Sequence, residues 1–365
     1  MSYHPDWHTL MTNNSGRMLP PNLPIDPATV HITFIDVGQG DSALICLPQM
    51  HAHERRAILI DCPAGNAPKV LALLREQQIT ELALVIVTHS DNDHCGGILD
   101  IVEDFAQQKQ QTVVIAYLPD SPVGSTGESS RTYKQFIRRF LELRQQKIID
   151  WLRPNLDQMR FDGVVLDFLH PEAGDTLAGL AAQDRNTPSQ VILLNSSGTR
   201  VLFAADITAT GWQSIMQRQM AHSAHTQLDN TLHAQVLKVP HHGGAWQSSE
   251  AMIEMLRIVQ PEYVVISTGS RNSYGHPTEQ FFQALRETTT VRRVLCTQAT
   301  HHLCAAQPRS VHVCAGSVEL HIGTDTLEIR PALPTHLARM EGLKPACSTW
   351  LPEDAARRLP DQNTG

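Results

Sequence analysis

The sequence predicts an α/β protein folded as a four-layer αββα sandwich, and three observations carry that expectation. Short apolar runs of strand length recur through both halves of the 365-residue chain. Stretches with helical apolar spacing alternate with them, and each half supplies enough strands for a mixed sheet that needs helices over its outer face. Two such sheets bury their remaining apolar faces against each other, which sets the order of the layers.

The elements follow in order. Residues 1–30 are polar and carry Pro20, Pro21, Pro24 and Pro27, so they read as an N-terminal arm over the surface. The main domain is expected over 31–330. It opens with HITFIDV (31–37), DSALICLP (41–48) and RAILIDC (56–62), an antiparallel meander punctuated by Gly38, Gly40 and the HAHERR segment. Val70, Leu71 and Leu74 give a helix over about 67–78 its apolar face, and the buried strand ELALVIVTH (81–89) then ends on polar residues. A helix over 96–109, the strand TVVIAYL (112–118) and a strongly amphipathic helix over 131–147 complete the first half. The second half repeats the style. VVLDFLHP, QVILLNSS and TRVLFAAD are strands, the latter two joined as a hairpin by Ser197-Gly198. Helices over about 209–222, 250–257 and 279–287 alternate with QVLKVPHH and EYVVIST. Residues 296–330 add strands and a Cys/His cluster, and 331–365 read as a Pro-rich polar tail.

Composition bounds the function. With 41% hydrophobic and 18% charged residues, 21 Gly and 22 Pro, the chain is neither disordered, collagen-like nor coiled coil. The formal charge of −8 argues against wholesale coating of a polyanion and leaves only local contact. No run approaches the roughly 20 apolar residues of a membrane span, and the N-terminus lacks the basic-then-apolar pattern of a secretory signal. Seven Cys at irregular spacing favour reduced thiols or metal ligands over a disulfide framework, so a cytoplasmic location is expected. The 19 His are the unusual count, because imidazole is the commonest metal ligand.

The chemistry concentrates at THSDNDHCGG (88–97), where His89, Asp91, Asp93 and His94 fall within six residues directly after a buried strand. Side chains at alternating loop positions can converge on neighbouring cations, imidazole suiting Zn or Mn and carboxylate shifting preference towards harder ions. Seen alone, such a cluster is also an ordinary acidic turn. Two further strand ends add to it: Asp206 after LFAA, which can bridge two cations or simply cap a helix, and the adjacent His241 and His242 after LKVP. Together these match the requirement of a two-metal hydrolytic site working through activated water. Asp93 is the candidate to orient that water. His242 and His276 are candidates for substrate contact or leaving-group protonation, with a Pro-shaped turn as the competing account of His276.

Seven motifs stand in order: IDVGQGDS (35–42), LIDC (59–62), THSDNDHCGG (88–97), RNTPSQVIL (185–193), FAAD (203–206), LKVPHHGG (237–244) and SYGHP (273–277). In these the chain resembles the metallo-β-lactamase fold superfamily and, within it, the nuclease-like domain of the DNA-uptake protein ComEC, over roughly residues 31–297. The superfamily's HxHxDH loop is matched by His89, Asp93 and His94, with Asp91 in place of the second His. The resemblance implies that His89 and Asp91 hold one ion, Asp93 and His94 the other, that Asp206 bridges them, and that His241 is the last ligand of the second ion. Where the superfamily usually supplies another His, this chain offers Asn186, with His170 as the alternative. An amide is a poor ligand, which leaves Zn or Mn open for the two divalent ions.

The function expected from this resemblance is a metal-dependent phosphodiesterase acting on DNA, with nucleic acid as substrate. The alternatives are a small phosphodiester such as a cyclic nucleotide, or a catalytically weak regulatory module. The helix over 131–147 offers Lys134 and Arg138 as phosphate contacts, against the plainer account of a solvated basic face. Cys296, His302, Cys304 and Cys314 are candidates for a structural zinc, against the plainer account of thiols used as small hydrophobes.

Overall fold

The computed structural model describes residues 29–49, 54–118, 128–154, 158–223, 232–304 and 310–350. The expected arm over 1–30 lies outside the described residues except for its last two.

Alternation along the strands splits their side chains between two faces, and both faces are apolar, so each sheet is covered on both sides. In the first half run β1 (Val30–Phe34), β2 (Ala43–Cys46), β3 (Arg56–Ile60), helix α1 (Ala67–Glu76), β4 (Glu81–Val87), the one-turn α2 (Asn92–Cys95), α3 (Ile98–Lys109), β5 (Val113–Tyr117), α4 (Glu128–Gln145) and β6 (Ile149–Leu152). The second half holds β7 (Gln158–Phe161), β8 (Val164–His170), α5 (Ala173–Ala182), β9 (Val191–Ser196), β10 (Thr199–Phe203), α6 (Ala209–Ser223), β11 (Val236–Lys238), α7 (Ser249–Val259), β12 (Tyr263–Ile266), α8 (Glu279–Arg286) and β13 (Arg293–Cys296). The one-turn α9 (His301–Cys304), β14 (Val318–Ile322), β15 (Leu327–Arg330) and α10 (Leu333–Arg339) follow.

Two sheets result, ordered β15-β14-β1-β2-β3-β4-β5-β6 and β13-β12-β11-β10-β9-β8-β7. The expected meander is present as antiparallel β1, β2 and β3, and the Ser197-Gly198 hairpin as antiparallel β9 and β10. Three apolar layers correspond to the three interfaces of the sandwich. Ile32, Phe34, Ile58 and Ile86 meet Phe203, Val236, Val265 and Leu295 between the sheets. Leu59, Val85 and Val87 face outward onto Val70, Leu74, Phe105 and Phe140 of α1, α3 and α4. Leu202, Leu237 and Val264 pack on Trp212, Met252, Leu256 and Phe281 of α6, α7 and α8. The αββα sandwich expected from the sequence is therefore the observed fold.

The segment from 331, read from sequence as a Pro-rich tail, is part of the fold as far as residue 350. Pro334 stands in the first turn of α10, where its missing N–H costs nothing, and His336, Met340, Leu343, Cys347 and Trp350 are buried in the outer core of the second sheet or against it. Residues 351–365 lie outside the described residues.

What matters for the site is strand direction. β3, β4, β5 and β6 run parallel in one sheet, and β10, β11, β12 and β13 in the other. Their carboxyl ends are where loops deliver polar residues, as in open α/β sheets generally.

Candidate metal centre

β4 ends at Val87, and the next residues turn through Thr88, His89 and Ser90 into α2, with Asp91 at its N-cap in extended conformation. β10 delivers Asp206, and β11 delivers His241 and His242 through a short 3-10 turn. Both histidines have left-handed backbones, φ 48° and 54°, an uncommon pair for non-glycine residues. His241 N donates to Ala205 O at 2.9 Å and Gly244 N to His241 O at 2.7 Å, which hold the turn in place. Gly40, with φ 120°, lets the first loop pass so close that a Cβ there would sit 2.3 Å from Asp93 O.

These loops bring three groups together: His89, His94 and Asp206; Asp93, His94 and His242; and Asp41, Asp206 and His242, all buried except the half-buried Asp93. Asp206 is central. Its Oδ1 lies 3.2 Å from His94 Nε2, and its Oδ2 lies 3.8 Å from His89 Nε2, 3.7 Å from His241 Nε2 and 3.7 Å from His242 Nε2. His242 Nε2 is 3.5 Å from Asp93 Oδ2, and His89 Nε2 is 3.9 Å from Asp91 Oδ2.

The far sides of the imidazoles are tied down. His94 Nδ1 donates to Asp61 Oδ2 at 2.8 Å, and His242 Nδ1 donates to Ser267 O at 3.1 Å with Asp41 Oδ1 at 3.3 Å. Thr88 Oγ1 donates to Asp61 Oδ2 at 2.5 Å, which leaves it to accept from His89 Nδ1 at 3.1 Å. Nδ1 of His89, His94 and His242 therefore carries its hydrogen outward and Nε2 turns inward, the arrangement that hydrogen-bond partners behind the ring impose on ligating histidines. The inward atoms His89 Nε2, His94 Nε2, His242 Nε2 and Asp206 Oδ1 are buried without a hydrogen-bond partner. Buried polar atoms are rarely left so, and this donor set of imidazole and carboxylate fits a divalent cation.

The charges agree. Burial alone would drive the imidazoles neutral, but Asp206 with Asp61 holds His94 well above its ordinary value, and Asp206 with Asp41 holds His242 at about 9. Burial would raise the Asp206 carboxyl, yet His94 and His242 push it well below the usual range. Lys238, itself only 3% exposed, pairs with Asp41 at 2.6 Å beneath the site.

Residues 35–267 match the family model of the metallo-beta-lactamase superfamily, well over half of the chain. The chain belongs to the metallo-beta-lactamase superfamily. It is 26% identical over 274 residues to ComE operon protein 3 of Bacillus subtilis (strain 168), covering 70% of this chain and 30% of that protein. It is 25% identical over 273 residues to competence protein ComA of Neisseria gonorrhoeae, covering 75% and 32%. The chain thus spans less than a third of the length of these curated relatives. The ComEC-like resemblance agrees with both matches. Among solved structures, unliganded yeast PDE1 aligns with a TM-score of 0.48 and 10% identity over 74% of this chain and 97% of that one. No helix among the described residues is long and apolar enough to cross a membrane.

Within this metallo-beta-lactamase site the expected residues take distinct places. His89, Asp93, His94 and Asp206 converge. His242, expected as a substrate or proton-transfer residue, is the one grouped with Asp93 and His94, whereas His241, expected as the last ligand, is outside the tight groups and a third exposed. Asp91 Oδ1 is held by Arg185 at 3.2 Å. Asn186 follows in the same loop with a buried, unpartnered Oδ1, while His170 donates to Ser189 O and faces Asp175, away from the groups. The His276 ring stands edge-on to His241 at 4.8 Å, and burial together with the neighbouring imidazoles pushes it down to about 4.

A cleft of about 690 Å³ opens beside the loop, walled by Asp91, Asp93, Tyr133, Phe136, Arg185 and Tyr274 among others. Lys134 and Arg138 are exposed and are not among its walls; α4 turns Thr132, Gln135 and Arg139 to it instead. His302 accepts no partner from the thiols and contacts Pro277 O at 3.0 Å. Cys296, Cys304 and Cys314 are buried in the outer core with Cys347, and they do not form a converging ligand group among the described residues. Cys296 and Cys314 share hydrogen bonds with Cys347, and Cys314 Sγ lies 3.3 Å from His336 Nε2. Asp61, Asp41, Lys238, Thr88 and Arg185 carry parts of the site that motif reading assigned no role.

Proposed function

We propose that this chain is a two-metal phosphodiesterase that cleaves DNA. The observation that carries the reading is the inward set of buried ligand atoms, Nε2 of His89, His94 and His242 with Asp206 Oδ1, the three imidazoles being fixed from behind. His89, Asp91 and Asp206, with Asn186 nearest in the adjoining loop, would hold one divalent cation, and Asp93, His94, His242 and Asp206 the other. Zn and Mn both suit this donor set. Bound cations supply Lewis acidity towards a phosphoryl oxygen and make water a better nucleophile near neutral pH. The chain's own residues do the rest. Asp93 accepts a hydrogen bond from the attacking water, Asp61 and Thr88 keep His94 and His89 in the correct tautomer, and neutral His276 offers a hydrogen bond at the rim. The relative named as a competence protein favours nucleic acid as the substrate class.

One observation favours a second reading, hydrolysis of a small phosphodiester such as a cyclic nucleotide. The cleft's arginines are already paired, Arg185 with Asp91 and Arg139 with Glu103, so a long polyanion finds little unpaired positive charge on its walls.

The test is incubation of circular single- and double-stranded DNA with the protein in Mn²⁺, Zn²⁺, Mg²⁺ or chelator, beside Asp93→Ala and His94→Ala. Metal-dependent cleavage lost in both variants supports the nuclease. Intact DNA with stoichiometrically bound metal, and turnover of a cyclic nucleotide, would move the reading to the small phosphodiester.

A further inference from the structure

We infer that Tyr274 is the nucleobase platform of the cleft, so that the site takes an unpaired nucleotide in preference to duplex. The inference rests on the phosphodiesterase reading above and deepens it. Tyr274 is 68% exposed, one of few large apolar side chains so exposed among the described residues, and it lines the same cleft as the Ser90 to Gly96 loop. The ring lies 5.9 Å from His276, which in turn adjoins His241, so it is two rings away from the candidate metal groups.

The ring is presented from a stiff turn. Asn272 uses its whole side chain inside the loop, Nδ2 donating to Gly269 O at 2.7 Å and His276 O at 2.8 Å, and Oδ1 accepting from His276 N at 3.1 Å. Thr268 Oγ1 also donates to His276 O at 3.0 Å. Little conformational entropy is then lost when a ligand covers Tyr274, which is what makes a rigid aromatic a good anchor. Across the cleft, Leu99 and Phe136 give the floor apolar character, while the arginines of the walls are held in ion pairs. Such a cleft has a surface for a base and leaves the phosphate to the metal groups. Stacking of that kind tolerates any base but needs a free π-face, which a duplex keeps in its own stack.

The shared chemistry is an exposed nucleobase face, from a single strand or from a free mononucleotide, and the experiment separates them. Cleavage in Mn²⁺ would be followed on a single-stranded oligonucleotide, its blunt duplex, an abasic oligonucleotide of equal length and a cyclic mononucleotide, using wild type, Tyr274→Ala and Tyr274→Trp. Fluorescence of 2-aminopurine placed in the strand reports stacking directly. We expect KM for the single strand to be about ten-fold below that for the abasic strand, equivalent to ~1.4 kcal/mol and within the range for base stacking on an aromatic. Tyr274→Ala should erase that difference and the fluorescence quenching with little change in kcat, and Tyr274→Trp should restore both. A cyclic mononucleotide that alone depends on Tyr274 would assign the platform to free nucleotides. Equal use of duplex and single strand, or turnover of both the single strand and the cyclic mononucleotide unaffected by Tyr274→Ala, overturns the platform and leaves the nuclease standing. Failure to cleave any of the four, abasic strand included, overturns the phosphodiesterase and the platform with it.

Discussion

Lys238→Met tests the electrostatic footing of the site. The Lys238 ammonium is buried on β11, 2.6 Å from Asp41 Oδ2 and 3.0 Å from Val239 O, so it joins the second sheet to the first turn of the other. At that distance the gross attraction is about 6 kcal/mol for an effective dielectric of about 20. Desolvation of both ions cancels much of this in the native protein. The variant is different, because Met fills the stem's volume while Asp41 stays buried without its cation. Removing one partner of a buried pair costs about 3–5 kcal/mol, and the lower end applies here since His242 Nδ1 remains 3.3 Å from Asp41. We expect a loss of about 3 kcal/mol in urea unfolding performed with chelator, read as a lowered midpoint at unchanged slope. The double variant Lys238→Met, Asp41→Leu should recover most of the stability but not metal affinity, because His242 then loses the carboxylate behind it. A single variant within 1 kcal/mol of wild type, or a double variant no more stable than the single, would refute the buried-charge argument.

Three further outcomes follow from the same geometry. Asp61→Asn removes the acceptor behind His94 and Thr88, and competition titration should find metal affinity ~10–100-fold weaker with the fold intact; unchanged affinity would show that Asp61 has no hold on the ligand. In chelator, His242 keeps a proton up to about 9 where the ordinary value is 6.5, so its contribution to stability is complete below 6.5 and is lost as pH rises through 9. With saturating Zn²⁺ the trend reverses, because ligation displaces that proton, and Tm against pH with and without metal reads both slopes. Met340→Ala, at a fully buried position after α10, should lower stability by ~2–5 kcal/mol if residues 331–350 are core, and by almost nothing if they are a tail.

The layers of the fold were legible because strand and helix periods are strong signals in buried sheets, as in 81–87, where Leu84 and Ile86 face one core and Leu82, Val85 and Val87 the other. Weakly patterned pieces were not. β6 and β7 are four residues each with exposed positions, and α10 begins among prolines that read as loop. The candidate ligands of the 88–94 loop were legible as a cluster because His89, Asp91, Asp93 and His94 fall within one short segment after a strand. The places of His241 and His242 were not, since they depend on two left-handed residues that leave the second ring buried and the first a third exposed. Asp61 shows the same limit. Its role arises from β3 and β4 lying parallel and side by side, so that it meets Thr88 N at 2.8 Å across the sheet, and neighbours of that kind are set by topology rather than by spacing along the chain.

The strongest argument for a cation site is not the number of histidines but their orientation. Each imidazole has two nitrogens, and nothing in burial alone makes three of them point the same way. Here a carboxylate, a hydroxyl and a carbonyl take the three Nδ1 hydrogens, and the hydroxyl is itself committed to the carboxylate of Asp61, so the tautomers form one connected set. The consequence is a cost, because Nε2 of His89, His94 and His242 is withdrawn from water and faces only the carboxylates of Asp206, Asp93 and Asp91, 3.2 to 3.9 Å away. Crowding imidazoles and carboxylates out of water costs free energy that their mutual attraction offsets only in part, and a site built for packing alone has no use for it. A divalent cation removes that cost at a stroke, which is why breaking the outer ties, as in Asp61→Asn, should weaken metal binding before it weakens the fold.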